Sequence, residues 1–164
     1  WLLRPGGLSE KETKLIRASW EVVKKDFKAN SVAFFLYFFE KNRDLQQKFP
    51  DFRDKSLEEI KDKVKLRSHA SRVFHAISSL IDNLDDLELV VSIVQKTVGD
   101  HYPRNIVAAD YEKLFNTIVA FLAMALGESF SEETKTGWIN MAGVLMGVIN
   151  AQLKQLDGEQ CAAK

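Results

Sequence analysis

Three histidines, at positions 69, 75 and 101, are the residues here best suited to chemistry, because imidazole both titrates near neutrality and binds metals. A zinc clip of the H-E-x-x-H kind needs its histidines three or four residues apart on one helix. No pair here has that spacing, so zinc is disfavoured. The single cysteine, Cys161 in the terminal "GEQCAAK", has no partner in the chain, which excludes an intramolecular disulfide and is compatible with a reducing interior. What the histidines can do together depends on the elements that carry them.

His69 lies in "LRSHASRVFHAI". At about 100° per residue, Leu66, His69, Val73, Ala76, Ile77, Leu80 and Leu84 form one apolar stripe of core-facing width. On the next helix Leu87, Val91, Val94, Val98 and His101 form another, with His101 in the final turn. Both histidines are expected to point inward, whereas His75, about half a turn from the first stripe's centre, faces elsewhere. An inward histidine taken alone is more often a hydrogen-bonded core residue. Two of them on helices joined by a short turn could instead face each other across something large and flat, and haem fits that description. The sequence has no C-x-x-C-H, so such a haem would be held noncovalently.

The helices themselves are legible. The 164 residues suggest one domain with a real core, interrupted by only three prolines and eight glycines, and apolar residues recur mainly three and four apart. The predicted class is all-α. Capping boxes at Ser9/Glu12 and Ser56/Glu59 mark two helix starts. A first helix carries Leu15, Ile16, Trp20, Val23 and Phe27, and a second starts near Asn30 and carries Val32, Phe35, Phe38 and Phe39. The aromatic corner "FPDF" follows. A third helix is expected over 57–84, and a fourth from about Asp85 to Tyr102, before Pro103. A fifth runs through "DYEKLFNTIVAFLAMALG", and a sixth from about Ser131 until shortly before Gly158. Short pieces over 43–60 bring the count near eight. Twenty-three basic residues balance twenty-three acidic ones, so no net field draws nucleic acid or an anionic membrane. No apolar run has membrane-spanning length, "WLLRPGG" is too short for a signal-peptide core, and a soluble, cytoplasmic protein is expected.

From "LSEKETKLIRASW" to about Leu156 the chain resembles the globins, in particular the single-domain hemoglobins of molluscs and arthropods. The resemblance rests on ordered markers: Trp20, "FFEKNRDLQQKFPDF", "KLRSHASRVF", "SSLIDNLDDLELVVSIVQKTVGDHYPRNIVAADYEKL" and Trp138. It implies a globin fold of six to eight helices over 8–156, with 1–7 an N-terminal extension and 157–164 a tail. It implies haem b, with His101 as the proximal iron ligand and His69 as the distal histidine facing the gas. Phe49 matches the phenylalanine stacked on the haem, with Phe52 its companion, and Phe35 and Val73 crowd the distal pocket. Val94, Val98, Ile106 and Tyr111 wall the proximal side. Arg43 departs from the pattern, standing where the family usually has a proline. The implied function is reversible dioxygen transport or storage at five-coordinate iron(II), with carbon monoxide and nitric oxide as further ligands and no enzymatic role. The alternative is a six-coordinate redox or sensor protein, or an enzyme consuming nitric oxide. Assembly with copies of itself or other globin chains is compatible with the resemblance.

Overall fold

In the computed structural model, residues 7–162 are described, and they form eight α-helices with no strand among them. These are α1 (Glu10–Lys24), α2 (Phe27–Lys41), α3 (Arg43–Gln46), α4 (Leu57–Ile60), α5 (Val64–Asp82), α6 (Leu87–His101), α7 (Ala108–Leu126) and α8 (Glu132–Ala162). The all-α expectation holds. No helix among the described residues is long and apolar enough to cross a membrane. The expected extension 1–7 lies, for residues 1–6, outside the described residues.

Both capping boxes form, with Glu12 and Glu59 each donating a backbone N–H to the serine three residues earlier while their carboxylates accept the serine N–H. Three boundaries and two facings differ from the sequence reading. Asp26 caps a new helix by accepting from the Ala29 N–H, so Phe27 opens α2 rather than closing α1. The expected helix over 57–84 breaks at Lys63, whose backbone is extended. Ile60 and Leu66 are both fully buried, and a continuous helix would set them about 120° apart. The break lets both reach the core.

Leu87, expected to face inward, is 48% exposed, and Val90, Val94 and Val98 form the buried face of α6 instead. Ala76 is likewise exposed, because the buried line of α5 is Leu66, Ala70, Phe74, Ile77 and Ile81. Finally, α8 passes through Gly158 to Ala162, whereas α7 does stop at Gly127, whose positive φ of 53° suits glycine. Gly158 has no such conformation.

Aromatic rings centre the core. Trp20 of α1 lies 5.9 Å from Trp138 of α8 and 5.1 Å from Phe74 of α5. Each indole N–H has a partner: Trp138 donates to Ser19 Oγ and Trp20 to Ser78 Oγ, both at 2.9 Å. Around this centre α2 packs on α5 and α7, and α8 packs on α1, α6 and α7. The two histidine-bearing helices thus rest on different supports, α5 on α2 and α1, α6 on α8.

Candidate functional site

The His69 side is built first by α2 and the corner after α3. Two phenylalanine edges meet the His69 ring nearly at right angles, Phe35 at 5.0 Å and Phe49 at 5.1 Å. Phe39 backs Phe49 at 5.1 Å, and Phe52 lies beside Phe49 at 6.0 Å with the rings nearly parallel. The corner is irregular backbone, yet it is pinned. The buried Gln46 amide donates to the carbonyls of Phe52 and Lys55, both at 2.8 Å, which fixes the turn that carries the two phenylalanines.

Beside His69 opens a cavity of about 370 Å³, lined by Phe49, Pro50, Asp51, Phe52, Val64, Lys65, Ser68, His69 and Arg72. An ion pair between Lys65 and Asp51 lies within this lining. Burial pushes the His69 pKa down from 6.5 to about 4, and the charges of Arg72, His101 and Arg104 add to the effect. His69 is therefore neutral at physiological pH. Val73, one turn on, is half-buried.

The opposite side is built by α6 and the corner that follows. Val94 and Val98 are buried beneath the helix, and His101 is its last residue. His101 Nδ1 lies 2.7 Å from the Thr97 carbonyl, and since a carbonyl only accepts, Nδ1 carries the hydrogen. Its Nε2 then holds a free lone pair. A 3₁₀ turn, Tyr102–Arg104, leads to Asn105 in the left-handed region at φ 56°, then to half-buried Ile106 and to α7. Tyr111 of α7 is buried 6.4 Å from the His101 ring. Burial raises its pKa to about 12, and its hydroxyl is buried without a hydrogen-bond partner among the described residues.

A lysine ties the two corners together. Lys48 Nζ, just after α3, donates to Asp110 at 2.5 Å and to the Asn105 carbonyl at 2.8 Å, while Asp110 also accepts the Val107 N–H at 2.9 Å. The sequence reading missed Gln46, Lys48, Thr97 and Asp110. Asp110 is readable as an acidic residue in the first turn of α7, but nothing local names a partner 62 residues away. The expected site residues otherwise fall into two groups: Phe35, Phe49, Phe52 and Val73 with His69, and Val94, Val98, Ile106 and Tyr111 with His101 or on the elements flanking it. His75 belongs to neither, since it is exposed and packs on the Phe27 ring at 4.5 Å.

Among the described residues no group of three or more histidine, cysteine, aspartate or glutamate side chains could hold a bare metal ion. A family model for globins matches residues 32–153, most of the chain. The chain belongs to the globin family. This globin is 29% identical to a globin of Nerita albicilla over 91% of its own length and 95% of the relative's. It superposes on ferric Aplysia limacina myoglobin, solved in different liganded states, with a TM-score of 0.82 at 25% identity, covering 89% of this chain and 99% of that one. A Drosophila melanogaster hexa-coordinate hemoglobin, solved in a study of cyanide binding and its heme cavity, matches with a TM-score of 0.79 at 28% identity, covering 87% and 93%.

Proposed function

We propose that this globin, through residues 8–156, holds haem b noncovalently between His69 and His101 and uses it to bind dioxygen reversibly, as a carrier or store rather than an enzyme. The single observation that carries the reading is the His101 tautomer: Nδ1–H spent on the Thr97 carbonyl leaves Nε2 as a free ligand on an inward imidazole. When bound, haem would supply an iron that His101 could hold and that takes up a diatomic gas, dioxygen, carbon monoxide or nitric oxide.

The residues present fit such a group. Two imidazoles without further ligands are too few to hold a bare metal, but they would suffice for a metal that arrives already bound in a cofactor. The Tyr111 hydroxyl gives a second observation, since a buried O–H without a partner is costly, and a group seated beside His101 could accept from it.

The rest of the work belongs to the chain. His69, neutral through burial, keeps one N–H to donate to a polarised gas, and the edges of Phe35 and Phe49 restrict how its ring can turn. Phe35 offers no donor, so Phe35 and Val73 limit space and water on this side. Phe49 and Phe52 form a plate for one face of the macrocycle, and Val94, Val98, Ile106 and Tyr111 keep the His101 side dry. Low water access favours retention of the reduced state. The setting is a cell interior, and sedimentation with and without ligand measures whether further globin chains join it.

A second reading is a six-coordinate redox or sensor globin or one that consumes nitric oxide, and the hexa-coordinate Drosophila hemoglobin supports its six-coordination alone. The visible spectrum of the reduced, gas-free protein separates the two. A high-spin, five-coordinate signature is expected. A low-spin, six-coordinate one would transfer the proposal to the second reading, and an absent Soret band would remove haem altogether.

A further inference from the structure

The C-terminal turns of α8 are longer than packing on the core requires. Residues 157–162 are exposed, and Gly158 offers a natural stop that the helix does not take. What this overhang touches is the residue after His101. The Tyr102 hydroxyl lies 2.6 Å from Asp157 Oδ1 and 2.9 Å from Gln160 Oε1. A hydroxyl has one hydrogen, and the charged carboxylate is the stronger acceptor of the two, so the bond to Asp157 carries the contact. The same tyrosine closes α6, its backbone N–H donating to the Val98 carbonyl, and opens the 3₁₀ turn, its carbonyl accepting from the Asn105 N–H at 3.0 Å.

His101 is thus held on one side by its own helix, through Thr97, and on the other by a tether that crosses to another helix. Without the tether the helix end and the turn could fray outward, since the last turn of a helix lacks further internal partners. Tyr102 is half-buried as a residue, whereas its hydroxyl and the partners on α8 lie at the surface, so the tether is within reach of solvent.

We propose that Tyr102 is a positioning residue for His101, acting through its hydrogen bond to Asp157 on the overhang of α8; this rests on the haem-binding reading above. The C-terminal helix end then sets how far and at what tilt the imidazole approaches the iron, and anything that displaces residues 157–160 alters gas affinity from outside the pocket.

The test compares Tyr102→Phe and Asp157→Ala with Asp157→Asn, which keeps an acceptor oxygen, in the full chain as purified. Two quantities are read: hydrogen exchange at the amides of residues 101, 102, 104 and 105, and the iron–imidazole stretching band of the reduced, gas-free protein. Tyr102→Phe and Asp157→Ala are expected to speed exchange at these amides about tenfold and to shift the band, and Asp157→Asn to restore both. Faster exchange with an unmoved band overturns the proposal, because the tether would then hold the turn and not the ligand. Unchanged exchange overturns it as well. A chain that purifies without haem would instead refute the haem reading, and exchange would still report whether the tether exists.

Discussion

The imidazole at position 69 carries two separable consequences. Under the proposed function, His69→Leu removes the N–H that would be donated to bound dioxygen, and a hydrogen bond to a polarised acceptor is worth about 1.5–3 kcal/mol, so dioxygen release should accelerate by about 10- to 100-fold. Carbon monoxide release should change far less. Stopped-flow displacement measures both, and equal effects on the two gases would point to altered space rather than a lost donor. The second consequence concerns pH. The unfolded imidazole takes up its proton near pH 6.5 and the folded one only near pH 4. Between those values the unfolded state binds more protons, so stability falls as pH drops through this window, by up to about 3 kcal/mol. His69→Leu should flatten that part of the urea-midpoint profile of the haem-free chain. A wild-type profile already flat from pH 6.5 to 4 would show that the ring is solvated.

Among elements, the corners decide most. Lys48 and Asp110 join the end of α3 to the start of α7 with side chains 30% and 9% exposed, better shielded than the surface pairs. Asp110→Ala strips the Val107 N–H of its acceptor and leaves the Lys48 ammonium only the Asn105 carbonyl, which should cost about 2–3 kcal/mol. A urea midpoint shift worth under about 0.5 kcal/mol would mean that water replaces the pair. These corners are also where sequence was least informative. Helix periodicity located α1, α2, α6, α7 and α8 to within a few residues, and glycine and capping chemistry gave real ends at Gly127, Ser9 and Ser56. The break at Lys63 was hidden because no breaker residue stands there; it arises from the competing burial of Ile60 and Leu66. The histidines were legible through spacing and resemblance, whereas Gln46, Lys48 and Thr97 act through partners that no local pattern specifies.

At the scale of the whole molecule, α1, α5 and α8 meet at two indoles whose N–H groups end on serines. Ser19→Ala leaves the buried Trp138 N–H unpaired and should cost about 1–3 kcal/mol, against about 3–5 for Trp138→Ala, which also opens a cavity. Thermal melts of the two variants give the order, and a Ser19→Ala variant as stable as the parent would show that the indole finds another acceptor. Haem held noncovalently, as proposed, would add to this core by mass action, about 4 kcal/mol when its free concentration is a thousandfold above its dissociation constant. The melting temperature should therefore climb with haem concentration.

The buried pair Trp20 and Trp138 has one more use. A porphyrin absorbs across the wavelengths at which indole emits, and these two rings are fixed in the same small fold as His69 and His101. The chain carries its own optical gauge: ultraviolet-excited emission should be dim while the cleft is filled and brighten as the prosthetic group departs, giving its loss rate without any attached dye.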